Sequence, residues 1–98
     1  MKYSHQYRKL LKDRYTTIRR YAKHKINDIV WENYPNGTHK ALITNIIKKP
    51  LDDLTERFLV EDTDCLSRKE AYDLFESFYR KPIDFKNEKF TIYFMKRI

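Results

Sequence analysis

The chain has 98 residues, is 41% hydrophobic and 15% aromatic, and carries a formal net charge of +7. A single domain of this length hides roughly 60 to 65% of its unfolded surface, and its apolar and aromatic content excludes disorder along the whole chain. The longest apolar runs are far short of the roughly 20 residues of a membrane span. Cys65 is the only cysteine, so no internal disulfide forms, and no cationic start leads into the apolar stretch of an export signal. The expectation is a cytoplasmic protein with no membrane partner.

Tyr3, Tyr7, Leu10 and Leu11 recur at i, i+4, i+7 and i+8, which predicts an amphipathic helix at the start of the chain. Tyr15 to Arg19 is dense in aromatic and β-branched residues and reads as a strand, with Thr17 and Arg19 on one face. A polar loop follows from Arg20 to Ile26. Asp28 to Tyr34 and Lys40 to Ile47 are two further strands, joined as a hairpin through Pro35-Asn36-Gly37. Asn-Gly offers the positive φ angles of a type I′ turn, while Pro35 and Thr38 point to a loop of more than two residues.

Leu51, Leu54 and Phe58 then recur at helical spacing behind Pro50, which predicts a short helix or turn. Ser67-Arg68-Lys69-Glu70 is a capping box ahead of Ala71, Leu74, Phe75 and Phe78, so a helix should run from there to about Arg80, where Pro82 blocks continuation. Phe90 to Met95 alternates with apolar residues on both faces, the pattern of a well-covered strand. Helix, strand, hairpin, two helices and strand make an α+β fold with non-local strand pairing, implying a small curled sheet or barrel.

Charge is unevenly distributed. Residues 1 to 25 hold nine cations against one anion, whereas residues 51 to 76 hold nine acids against three cations. A concentrated cationic face attracts polyanions, nucleic acid above all, because each neutralised phosphate releases counterions. Tyr15 and Tyr21 are interleaved with the cations and suit stacking on exposed bases. His5, His24 and His39 show no ligand spacing with one another or with Cys65, so neither a metal nor another cofactor is expected. Cys65 beside Leu66 reads as a small buried hydrophobe.

Taken together, Tyr15-Thr16-Thr17-Ile18-Arg19, Ile26-Asn27-Asp28-Ile29-Val30, Leu54-Thr55-Glu56, the segment from Ser67 to Phe78-Tyr79, and the strand from Phe90 to Phe94 resemble the ASCH domain from about residue 7 onward. The sequence departs from that family at Asn27, where glycine is usual, and at Arg80, where proline is usual. The resemblance implies a PUA-like mixed β-barrel with two to three flanking helices as a single domain over residues 1–98, and an RNA-related role.

It also implies, by likeness to small amidohydrolases of N4-acetylcytidine, an alternative in which Thr17 is a nucleophile and Asp62 its acid/base partner. Arg14 stands at the lysine position of those enzymes. Arginine holds its proton too tightly to be a base, so there it would orient substrate or stabilise an oxyanion. The primary expectation is a cationic cleft that binds RNA or a modified nucleoside through Arg14, Arg19, Arg20, Lys23 and Lys25. A third reading is a protein-interaction module in which the positive first quarter of one copy meets the negative 51 to 76 region of another. The expected state is a monomer or weak homodimer.

Overall fold

The computed structural model describes residues 1–98. Four strands, β1 (Arg14–Arg19), β2 (Ile29–Tyr34), β3 (Gly37–Pro50) and β4 (Lys89–Arg97), form one antiparallel sheet in the order β1-β4-β3-β2. Two helices, α1 (Glu56–Thr63) and α2 (Arg68–Phe78), and two 3₁₀ turns, Arg8–Leu11 and Leu51–Asp53, complete it.

β4 is inner and covered on both sides, as its two-faced apolar alternation requires. On one face Tyr93 and Met95 join Tyr15, Ala41, Ile43 and Val30 in a core completed by Tyr3, Tyr7 and Leu10. On the other, Phe90 and Ile92 join Ile18 under the helices, against Leu59, Ala71 and Phe75. Thr17 lies opposite Tyr93 and Ile18 opposite Ile92, so β1 divides its side chains between the two cores.

α2 begins at the expected cap. The Ser67 hydroxyl accepts from the Glu70 amide at 3.2 Å, and the Glu70 carboxylate reaches back to the Leu66 amide at 3.0 Å, one residue beyond the usual box. The helical spacing of Leu51, Leu54 and Phe58 resolves into two elements. The Thr55 hydroxyl accepts from the Phe58 amide and starts α1 afresh after the 3₁₀ turn.

The hairpin loop is shorter than expected. Tyr34 faces Gly37 directly, leaving Pro35 and Asn36 as a two-residue loop, and of these four residues only Gly37 has positive φ. Proline fixes φ near −65°, which is incompatible with a type I′ turn. Asn27, at the position where the resemblance led to glycine, takes a left-handed conformation with φ 75° that asparagine tolerates.

Two expectations are corrected. The first segment is not a helix apart from the 3₁₀ turn Arg8–Leu11, and residues 1–3 are tied to β2: the Tyr3 amide donates to the Asn33 carbonyl and the Asn33 amide to the Met1 carbonyl, each at 2.8 Å. Tyr3, Tyr7 and Leu10 are still buried, whereas Leu11 is exposed. The sheet is also not a PUA-like barrel: β1 and β2 are its two edges and share no ladder. Residues 1–3 span the gap instead, pairing with β2 through backbone and meeting β1 through side chains. The Tyr3 and Thr17 hydroxyls are 2.7 Å apart, and Arg19 Nη2 donates to the Lys2 carbonyl at 2.9 Å.

His39 shows how polar groups survive in this interior. Arg97 Nη1 donates to its Nδ1 at 3.1 Å, so the imidazole proton sits on Nε2, which donates to the Tyr15 hydroxyl at 2.8 Å. Burial, and then the adjacent guanidinium, holds its pKa below the ordinary imidazole value. The unfolded chain takes up that proton near pH ~6.5 while the folded chain resists it, so stability is lost as pH falls below that value. Urea midpoints between about pH 8 and pH 5 should decline with acidity, and His39→Gln should flatten that slope.

The bridge from Tyr3 to Thr17 is equally testable. Tyr3→Phe leaves a buried hydroxyl unpartnered and should cost about 1 to 3 kcal/mol by denaturant unfolding. Combining it with Thr17→Val should return part of that loss.

Candidate nucleic-acid interface

The candidate site is built along β1. Its six residues send Thr17 and Arg19 toward the first core and Arg14 and Thr16 toward the helix side. α1 brings Asp62 to Thr16, whose hydroxyl donates to Asp62 Oδ1 at 2.8 Å, and Lys9 from the 3₁₀ turn approaches the same oxygen at 3.1 Å. The turn is held in place by the Arg8 amide, which donates to Asp64 at 2.7 Å.

Lys9 and Asp62 form a buried ion pair, and the ammonium also lies over the rings of Tyr3 and Tyr7 at 5.5 and 5.3 Å. Burial pushes the Lys9 pKa down, and the Asp62 carboxylate opposes that shift. Thr17, Lys9 and Asp62 border one crevice of about 30 Å³, which has room for one or two waters. Thr17 is 1% exposed and its oxygen is engaged with Tyr3.

The cations proposed for RNA separate into different fates. Arg20 is buried: Nε and Nη2 grip both Glu88 oxygens at 2.6 and 2.9 Å, and the remaining contacts go to the Lys81 and Pro82 carbonyls at 2.7 and 2.9 Å. It staples the loop after α2 to the end of β1, and its fork holds the Glu88 carboxyl below the usual range. Lys25 is exposed beside Asp28, outside the cleft. Arg14, at the opposite end of β1 from Arg19, points to the other face.

Arg19 and Lys23 do share a hollow. Two contiguous depressions of about 420 and 340 Å³ lie at the open seam between β1 and residues 1–3, and both are lined by Lys2, Arg19 and Tyr79. The first adds Lys23, His24 and the exposed Tyr21; the second adds Tyr7 and Phe78. No acidic side chain lines either one. Arg19 is fixed by the Lys2 carbonyl and by the Tyr3 ring 4.9 Å below it, and no carboxylate neutralises it. The Lys23 and His24 amides donate to the Tyr93 hydroxyl at 2.9 and 3.4 Å, which sets the loop that carries Lys23.

Sequence reasoning missed Lys2, Lys9 and Tyr79. Lys9 adjoins Leu10 on the buried stripe, a signal that its stem was destined for the interior, but its partner lies 53 residues away. Nothing local marked Lys2. No cluster of His, Cys, Asp and Glu is placed to hold a metal ion, no helix is long and apolar enough to cross a membrane, and Cys65 is only half-buried.

No family model matches the chain, and no curated protein or solved structure does either. With the open sheet, this overturns the assignment to the ASCH family, and the amidohydrolase chemistry that rested on that likeness falls with it. The geometry agrees: Arg14 is on the far face from Thr17, and the crevice beside Thr17 is too small for a nucleoside.

The ion pair gives a direct test. Asp62→Ala strands a buried ammonium and should cost about 3 to 5 kcal/mol, whereas replacing both partners, as in Lys9→Met with Asp62→Leu, should cost much less. Urea unfolding of the two variants beside the parent protein measures the difference.

Proposed function

We propose that the protein binds single-stranded RNA along the seam groove, with phosphates on Lys2, Arg19 and Lys23 and bases against Tyr21, Tyr79 and Phe78. The observation that carries this reading is a groove whose lining combines three cations free of ion pairs, Lys2, Arg19 and Lys23, with solvent-reaching aromatic rings and no carboxylate. Positive charge that tracks a backbone, with rings on which successive bases stack, is the general means of gripping a single strand without reading its sequence.

Two details support it further. Arg19 is held by a carbonyl and a ring rather than by an acid, so its remaining donors stay free for a phosphate or base edge. Tyr21 is 62% exposed and meets the Tyr79 ring only edge-on, so its face stays open to a base. Two of the nine cations in the first quarter, Lys9 and Arg20, are already neutralised by internal partners. The electrostatic drive therefore comes from fewer groups than the sequence count indicates.

Fluorescence anisotropy with a labelled single-stranded RNA across salt concentrations tests the proposal. The log–log slope should be about −0.7 per phosphate contact, and Lys23→Glu should both weaken binding and make the slope shallower by about that amount. Tyr21→Ala should cost about 1 to 3 kcal/mol of binding while leaving the slope unchanged. Affinity indifferent to salt and to both substitutions would remove the groove from consideration.

A further inference from the structure

A second hollow lies on the opposite face of β1, at its other end. It encloses about 280 Å³ between β1, β4 and α1, with Lys12 and Arg14 on its rim and Phe58, Phe94 and Met95 among its apolar lining. It opens where β3 breaks register with β4. The pairing shifts between Ile43 and Asn45, Thr44 is left as the extra residue, and its hydroxyl donates to the Phe94 carbonyl at 3.1 Å. A bulge of this kind bends the strand and re-aims its side chains. Arg14 and Arg19 are separated by five strand positions, roughly 17 Å, and face opposite ways.

The polar atoms of this hollow have a definite sense. The Thr16 hydroxyl spends its proton on Asp62 and the Thr44 hydroxyl spends its own on Phe94, so each turns only lone pairs to a ligand. Glu61, which also lines the hollow, adds a carboxylate acceptor that is exposed and bound only to the surface Arg57. Lys12 and Arg14 form no ion pair. Lys9 also lines the hollow, but its ammonium is engaged with Asp62 and the Tyr3 and Tyr7 rings. The hollow therefore presents free positive charge on its rim, flat apolar surface from two half-buried phenylalanines, and hydrogen-bond acceptors inside.

We propose that this hollow is a second ligand site, separate from the seam groove, for a planar ring that carries both an anionic group and an exocyclic amine. Nucleoside monophosphates with an amino group are the class that fits. The phosphate lies against Lys12 and Arg14, and the base lies against Phe58 and Phe94 with its amino protons directed to Glu61 and the threonine oxygens. A base that offers a carbonyl at the same position meets acceptors with an acceptor and is disfavoured by about tenfold or more. The site does not depend on the RNA reading, because it shares no cation with the seam groove.

Equilibrium dialysis of the whole protein against AMP, CMP, UMP, adenosine and inorganic phosphate tests the proposal, with Arg14→Glu and Lys23→Glu run in parallel. The expected result is saturable binding of AMP and CMP, about tenfold weaker binding of UMP, and little retention of adenosine or phosphate alone. Arg14→Glu should abolish AMP binding, and Lys23→Glu should leave it unchanged. Both residues are exposed, and amide spectra of the variants verify the fold. Equal affinity for AMP and UMP, binding that survives Arg14→Glu, binding lost in Lys23→Glu, or no saturable binding at all would each overturn the assignment. If Lys23→Glu abolishes RNA binding but spares AMP, the two sites are separate; RNA binding that fails by itself leaves the AMP outcome to stand alone.

Discussion

An open antiparallel sheet leaves two edge strands with bare amides, and the way those edges are satisfied governs the rest of this molecule. Residues 1–3 supply the answer by lying between β1 and β2. Tyr3 is the working piece: its amide pairs with β2, its ring enters the first core with Tyr7 and Leu10, and its hydroxyl ends on Thr17 of β1. A tyrosine suits this span because it carries a large apolar body with a polar tip. The groove inherits its shape from the same contact. Arg19 is held over the Tyr3 ring and by the Lys2 carbonyl, so the posture of the central cation is a by-product of closing the seam.

The first core is unusually polar for its size. Glu32 is fully buried and neither carboxylate oxygen has a hydrogen-bond partner. Its compensation is electrostatic: the Met1 amino group is 3.8 Å away. Burial first, and then the Glu32 charge, keeps the Tyr3 and Tyr15 phenols protonated far above the ordinary range. Glu32 pairs in register with His39, whose pKa burial and Arg97 hold down and whose ring hydrogen-bonds to Tyr15 and Tyr34. Such a hairpin has one admissible register. A slip of β2 by one residue would drive Trp31 inward and expel Val30 from the core.

Periodicity made β1, both hairpin strands, α2 and β4 readable, because each buries side chains at the spacing its own geometry dictates. Closure was not readable. Whether β1 meets β2 depends on which strands become neighbours, and two apolar alternations look the same at an edge as beside a partner. The stripe of Tyr3, Tyr7 and Leu10 marked the right residues for burial but the wrong conformation, since a non-helical segment pinned by Asn33 buries the same rings as a helix would. On β1 the strand parity placed Thr17 and Arg19 on one face correctly. The fates of Lys9 and Arg20 escaped because their carboxylate partners are 53 and 68 residues distant. A long cationic side chain read locally looks solvated, whatever acid the fold later brings to it.

That same parity has an electrostatic consequence for the whole surface. β1 carries Arg14 and Arg19 to opposite faces, and the residues between them enclose the Lys9 and Asp62 pair rather than a further free charge. At physiological ionic strength the Debye length is about 8 Å, well under the roughly 17 Å that separates the two arginines along the strand. A charge neutralised at one end therefore changes little at the other, and each hollow keeps its own positive field. The buried pair satisfies an interior ammonium, and the basic first quarter is left with its free charge at the two ends of β1 rather than along it.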